Sequence, residues 1–217
     1  MIELGIKFTL AYLLGSVLGS LVVGWCYGGV DIRKLGSGNA GGTNALRTQG
    51  KWFALWVMII DIGKGILAAA LIPGLVLPGI GIDPEIERSL VLYTVAFAAI
   101  AGHVFPVWFQ FRGGKGGATA AGLIVYFVPT LALPVIGAWI LVVLLTGFVG
   151  LATISASLAA VALVGFTRLP EQSGLFLFTC ACAVLLIYAH RGNIRRMLNG
   201  TEARFARLGV DRLLGGK

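Results

Sequence analysis

The chain has 217 residues, of which 58% are apolar and only 12% charged, and its mean hydropathy is +0.92. A soluble domain carries about 25% charged residues, so this is a bilayer composition, and its length suits a single domain over 1–217. The net charge of +8 is read as loop charge that sets orientation beside anionic lipid. With no basic run interleaved with exposed aromatics, nucleic-acid binding is excluded.

The first apolar run extends from Ile6 to about Trp25. It is span-length, and no A-x-A cleavage site follows it, so it is read as a transmembrane helix. Gly15 and Gly19 within it form a GxxxG pair, which close helix packing explains. Further apolar segments give an all-α integral membrane protein of about seven transmembrane helices, near 4–28, 53–76, 89–110, 118–130, 131–149, 151–167 and 174–190. The boundary at Pro129 leaves six spans open. Cys26, Cys180 and Cys182 all lie in these apolar segments and read as small buried hydrophobes.

Thirteen of the 17 basic residues fall in three segments. Arg33, Lys34, Arg47 and Lys51 lie in or beside loop 31–51, and Arg112 and Lys115 in the turn after the third span. Arg191, Arg195, Arg196, Arg204, Arg207, Arg212 and Lys217 form the tail. An odd number of spans puts all three on one side, expected to be cytoplasmic, with the N-terminus outside and the C-terminus inside. Three polar, glycine-rich segments then end at one face, the expected place for an active site.

The first is LGSGNAGGTNALR, residues 35–47. Its Gly36-x-Gly38-x-x-Gly41 spacing matches a dinucleotide fingerprint, but that pattern needs a strand before it, and here a span precedes it. The underlying physics survives without the sheet. Gly38, Gly41 and Gly42 let backbone N–H groups approach an anion. Ser37, Asn39, Thr43 and Asn44 add side-chain donors, and Arg47 a planar fork suited to phosphate. A helix beginning near Thr43 would point its N-terminus at the same spot.

Asp61 and Lys64 lie three apart inside the second span. Each charge costs roughly 2.5–3.5 kcal/mol at mid-membrane, so the pair faces the bundle interior. It is either a structural ion pair or part of a polar site, and Lys64 is placed with the substrate-binding candidates.

The second segment is GHVFPVWFQFRGGKGG, residues 102–117. It fails as a Walker loop because Gly116 stands where Ser or Thr is required. A lysine flanked by four glycines, Gly113, Gly114, Gly116 and Gly117, can still cradle a phosphate with Lys115 and backbone N–H groups. Phe105, Trp108, Phe109 and Phe111 read as an interfacial aromatic belt. His103 stands near the span end as either an interfacial histidine or a catalytic group.

The third segment is HRGNIRRMLNGTE, residues 190–202. His190 and Asn193 share a helix face, and Glu202 is placed to pair with a nearby arginine. The three segments offer only Asp31 and Glu202 as acids, so the site is built for an anion, with no metal and no cofactor. These features leave an interfacial enzyme acting on a phosphorylated, partly lipidic substrate, or a membrane carrier for small phosphorylated solutes. A carrier should place its groups near the midplane in repeated halves, which favours the enzyme.

In this order, DIRKLGSGNAGGTNALR, DIGKG, GHVFPVWFQFRGGKGGAT and HRGNIRRMLNGTE resemble the bacterial acyl-phosphate:glycerol-3-phosphate acyltransferases, the PlsY family, over about residues 12 to 204. The resemblance implies a polytopic inner-membrane enzyme with its active site facing the cytoplasm. The reaction implied is acyl transfer from acyl phosphate to the 1-hydroxyl of glycerol 3-phosphate, giving lysophosphatidic acid and inorganic phosphate. It makes Ser37 and Arg47 essential, Gly113–Gly117 with Lys115 the glycerol-3-phosphate site, and His190 and Asn193 active-site residues. A later serine pair of the family is replaced by Gly150 and Thr153, and only Thr153 keeps a hydroxyl. The expected partners are the two substrates, membrane lipid and a soluble enzyme that makes acyl phosphate, with the transferase itself a monomer. The hydroxyl proton is expected to pass to the acyl phosphate's own phosphate; the competing base is His103 or His190.

Overall fold

The computed structural model of the chain describes residues 1–205; Arg207, Arg212 and Lys217 of the basic tail lie outside the described residues. Among these residues there are helices and no strand. They fall into two compact units, Met1–Phe127 and a second that starts at Val128.

The first unit contains α1 (Ile2–Gly15), α2 (Gly19–Cys26), α3 (Gly42–Gln49), α4 (Lys51–Leu71), α5 (Arg88–Val104) and α6 (Gly117–Phe127). Short 3₁₀ turns lie at Ile32–Lys34 and Val107–Phe109. The second contains α7 (Pro129–Thr146), α8 (Val149–Arg168), α9 (Ser173–Ala189) and α10 (Arg191–Leu198). Four stretches are each long and apolar enough to cross a bilayer: α4, Arg88–Phe109, α7 and α8. The pairs α1 with α2 and α9 with α10 qualify only together, bent by 44° and 53°. That gives up to six spans by length and composition.

Two expected elements change form. The first span is two helices with a break at Ser16–Leu18, although hydropathy runs unbroken through it. The fourth, expected over 118–130, is an 11-residue helix. At 1.5 Å per residue it rises about 16 Å, half of the ~30 Å hydrocarbon core.

Glycines bring the helices of the first unit close together. A Cβ on Gly15 would strike the backbone of Ala99, and one on Gly102 the carbonyl of Tyr12, so α1 and α5 pack backbone to backbone. Gly65 against Thr119 and Gly122 against Ile62 do the same for α4 and α6. In a bilayer, where apolar contact with lipid is as good as with protein, this close packing supplies much of the association. The large side chains left outside are apolar, among them Trp52, Trp56, Leu67, Leu133 and Phe166, the last 90% exposed. That pattern suits a lipid surround. Only Leu131 and Ala132 of α7 are buried.

At the end of the first unit where α1 begins, Glu3 accepts hydrogen bonds from Lys7 (2.7 Å) and both terminal nitrogens of Arg88 (2.8 and 3.0 Å). Lys7 also donates to the carbonyl of Pro73 (2.6 Å). The N-terminal ammonium pairs with Asp83 and holds that carboxyl below its usual range.

Candidate active site

The loop 31–44 is organised from inside by one amide. Asn44 is buried, and its Nδ2 donates to the carbonyls of Ile32 (2.9 Å), Leu35 (3.0 Å) and Asn39 (3.0 Å). Its Oδ1 accepts from the backbone N–H of Ser37 (2.9 Å). Gly36 is required twice over: its φ is +56°, and a Cβ there would overlap Asn44 Oδ1. The loop leads into α3, which starts at Gly42 and has its N-cap at Gly41. Ser37, Gly38 and Arg47 are exposed, while Asn39, Gly41, Gly42 and Thr43 are half-buried. Asn44 is the exception in this candidate set, since its polar atoms bond to the loop itself.

A second tie runs from the same loop. Asp31 accepts from the Arg33 backbone N–H (3.0 Å), Nε (3.0 Å) and NH2 (2.8 Å). The Arg33 guanidinium holds the Asp31 carboxyl below its usual range, and Arg33 is raised in return. Arg33 then lies over the ring of Phe109 at 4.9 Å, a cation–π distance. Phe109 sits in the turn just before Gly113–Gly117, so this contact joins the first polar segment to the second. By sequence alone Phe109 belongs to the aromatic belt and Arg33 to the charges that set orientation. The one legible signal was Asp31, an acid two residues before an arginine in an otherwise basic loop. Trp108 and Phe111 are both exposed, as anchors should be.

Beneath the glycine loop lies a buried polar chain. Lys64 and Asp61 are 3% and 1% exposed and form an ion pair of 2.9 Å. Lys64 Nζ also donates to the carbonyl of Val17 (2.7 Å) and lies 2.8 Å from His103 Nδ1. Asp61 Oδ1 accepts from the backbone N–H of Gly19 (3.1 Å). The break between α1 and α2 is thereby closed from α4. A carboxylate meets the N–H group starting α2, and an ammonium meets a carbonyl left at the end of α1, which are the signs the two helix dipoles favour. His103 is 2% exposed, and its carbonyl accepts from Gly114 N (3.0 Å). A Cβ on Gly114 would overlap His103 Nε2, and one on Gly113 would strike the His103 carbonyl and Pro106. Gly116 has φ +81°, and Gly117 starts α6, so Lys115 lies one residue before a left-handed turn into a helix N-terminus. Such a terminus favours an anion.

In the second unit, His190 and Asn193 are both buried at the junction of α9 and α10. His190 Nδ1 is 2.8 Å from the Leu186 carbonyl. A carbonyl can only accept, so the neutral ring carries its proton on Nδ1 and presents Nε2 as an acceptor. Asn193 Nδ2 donates to Glu202 Oε1 (2.5 Å), and Arg196 Nε to Glu202 Oε2 (2.6 Å), so the expected Glu202–arginine pair is present. Gly150 packs against Asn193, with 3.0 Å from a Cβ position to its Cβ, Cγ and Nδ2. The Thr153 hydroxyl accepts from Trp139 Nε1 (3.2 Å) and donates to the Val149 carbonyl (3.0 Å).

The sequence pattern of the family described as glycerol-3-phosphate acyltransferase matches residues 6–200. The chain belongs to that family. The glycerol-3-phosphate acyltransferases of Chlorobaculum tepidum and Chlorobaculum parvum are each 36% identical over 217 residues, covering 90% of this chain and 94% of the relative. That of Chlorobium luteolum is 35% identical over 218 residues. Two crystal structures of PlsY (YgiH), described as an integral membrane glycerol 3-phosphate acyltransferase, superpose with a TM-score of 0.78 at 32% identity. One is its glycerol 3-phosphate form, covering 95% of this chain and 98% of that one; the other is its lysophosphatidic acid form. This member of the glycerol-3-phosphate acyltransferase family is therefore a multi-pass membrane acyltransferase of phospholipid synthesis.

Proposed function

We propose that this acyltransferase takes its acyl group from acyl phosphate and delivers it to the 1-hydroxyl of glycerol 3-phosphate. The hydroxyl oxygen attacks the acyl carbonyl, the bond from carbonyl carbon to phosphate oxygen breaks, and lysophosphatidic acid and inorganic phosphate leave. The observation that carries this reading is the junction of two cradles in the first unit. The Asn44-ordered loop bearing Ser37 and Arg47 is joined through Arg33 and Phe109 to the glycine loop bearing Lys115. Two adjoining anion cradles suit a reaction in which donor and acceptor both carry phosphate.

In this reading Arg47, Ser37 and the N–H groups of Gly38, Asn39 and Gly41–Thr43 bind phosphate or stabilise the developing oxyanion. Gly113–Gly117 with Lys115 binds glycerol 3-phosphate. His190 and Asn193 act at the reacting groups, and Thr153 stands near substrate through the resemblance alone. Acyl phosphate is already activated, so orientation and preorganised donors can supply most of the catalysis, and its phosphate takes the hydroxyl proton. The chain works as one acyltransferase in the bacterial inner membrane, as a monomer with its N-terminus outside, the short α6 counting as a seventh crossing beside the six candidate spans. Its active site faces the cytoplasm, where a soluble enzyme supplies acyl phosphate.

The test is donor choice. Purified protein given glycerol 3-phosphate should form lysophosphatidic acid from acyl phosphate and not from acyl-CoA, and Arg47→Ala should abolish it. Equal turnover with acyl-CoA would contradict the donor assignment.

A further inference from the structure

Lys64 and His103 lie beneath the glycine loop rather than on its open side, and their geometry assigns them work there. The Lys64 ammonium has three N–H bonds and three acceptors: the Val17 carbonyl, Asp61 Oδ1 and His103 Nδ1. Asp61 Oδ1 also lies 3.4 Å from His103 Nδ1, but the 2.8 Å contact with Lys64 is the closer. An imidazole nitrogen that accepts from an ammonium carries no proton, so the neutral ring holds its proton on Nε2. That nitrogen is the atom against which Gly114 packs. The same residue's carbonyl takes the Gly114 N–H. Ring and backbone of His103 thus form the floor of residues 113–114.

We infer that Asp61, Lys64 and His103 are a buried positioning chain that holds the Gly113–Gly114 backbone, and with it Lys115, in the geometry that receives the phosphate of glycerol 3-phosphate. This rests on the reading of the glycine loop as the glycerol-3-phosphate site. It extends that reading to Asp61 and changes the part played by His103. A histidine whose Nδ1 faces an ammonium, and whose Nε2 carries the proton beneath the loop, has no lone pair to offer a substrate hydroxyl. The two histidines hold opposite tautomers, since His190 keeps its proton on Nδ1.

The test has two arms. ¹⁵N NMR of the histidine-labelled protein in detergent reads the tautomer without any substrate. The Nε2–H form of His103 is expected, changed by Lys64→Met; an Nδ1–H form in the unsubstituted protein would overturn the chain. The kinetic arm compares His103→Gln, which keeps an amide N–H near the Nε2 position, with Lys64→Met and the double variant. KM for glycerol 3-phosphate should rise about tenfold, the weight of one lost hydrogen bond. At the same time kcat and KM for acyl phosphate should stay within about threefold, and the double variant should be no worse than the poorer single one. A fall in kcat of about 10²–10⁴ with KM unchanged would make His103 a proton-transfer group instead. An unmoved KM with only a lower melting temperature would make the chain purely structural. If the unsubstituted protein turned over no acyl phosphate, the donor reading would fail, while the NMR arm and calorimetric titration with glycerol 3-phosphate would still decide the positioning role.

Discussion

Lys64 reaches from the middle of α4 to the carbonyl of Val17, 2.7 Å away, inside the break of the first membrane segment. The charge and the break explain each other. Without the break that carbonyl would be engaged in a helix, and without the carbonyl one ammonium N–H would be buried unpaired. Removing Lys64 therefore strands Asp61 as well. Lys64→Met should destabilise the protein by about 3–5 kcal/mol, the cost of leaving half a buried pair. Adding Asp61→Asn should recover part of the loss. Melting in detergent reads both, and a double variant less stable than Lys64→Met would contradict the pairing.

Asn44 gives a sharper contrast. Its Nδ2 faces three carbonyls, so Asn44→Asp would turn a carboxylate oxygen toward them, whereas Asn44→Ala removes those donors and the Oδ1 acceptor of the Ser37 N–H without adding a charge. The aspartate should be the worse of the two, by about 1–3 kcal/mol for a buried charged group left unsatisfied. Both should lower kcat/KM through the Arg47 loop. Equal melting temperatures would mean the amide does not organise the loop.

Glycine substitutions should separate by position. Gly114→Ala meets an imidazole that can tilt, while Gly113→Ala meets the fixed backbone of His103 and Pro106. Gly113→Ala should lose more activity, and Gly114→Ala should mainly raise KM for glycerol 3-phosphate. Gly63, with nothing within 4 Å of its Cβ position, is the control. Gly63→Ala should keep activity and add up to about 1 kcal/mol of helix stability.

Glu202 holds Asn193 through one oxygen and Arg196 through the other. Glu202→Gln keeps the acceptor for Asn193, and Glu202→Ala removes it. Turnover should fall only a fewfold in the first, and about tenfold or more in the second, as Asn193 loses its orientation. Identical losses would contradict a positioning role for the carboxylate.

Hydropathy and loop charge made the helical architecture and the three polar segments legible, because burial in lipid imposes long apolar runs and displaces charge to their ends. The break at Ser16–Leu18 was not legible, since its cause is Asp61 and Lys64, more than forty residues away in sequence. Asn44 read as one donor among several, and only its contacts show it turned inward. The Arg33–Phe109 contact joins segments some seventy residues apart, and neither residue stood out in its local pattern. The spacing of Gly15 with Gly19 signals close packing without naming its partner helix, and Gly65 and Gly122 are ordinary letters in an apolar run until the backbone beside each is known.

Acid should loosen the Asp31–Arg33 tie. A carboxyl held below its usual range contributes stability that is fully present above about pH 4 and is lost as pH falls through its lowered value. Below pH 4, unfolding should steepen slightly, by less than about 1 kcal/mol for a partly exposed pair, and Asp31→Asn should remove that component. A variant with the same acid profile as the parent would contradict it.

Acyl phosphate should be consumed only as glycerol 3-phosphate is acylated. Phosphate release by the purified protein in lipidic mesophase, followed with lysophosphatidic acid in the same sample, tests it most directly. Equimolar phosphate and lysophosphatidic acid are expected, with no release in the absence of glycerol 3-phosphate and none with Arg47→Ala. Release that ignores glycerol 3-phosphate, or lysophosphatidic acid formed without phosphate, would contradict it.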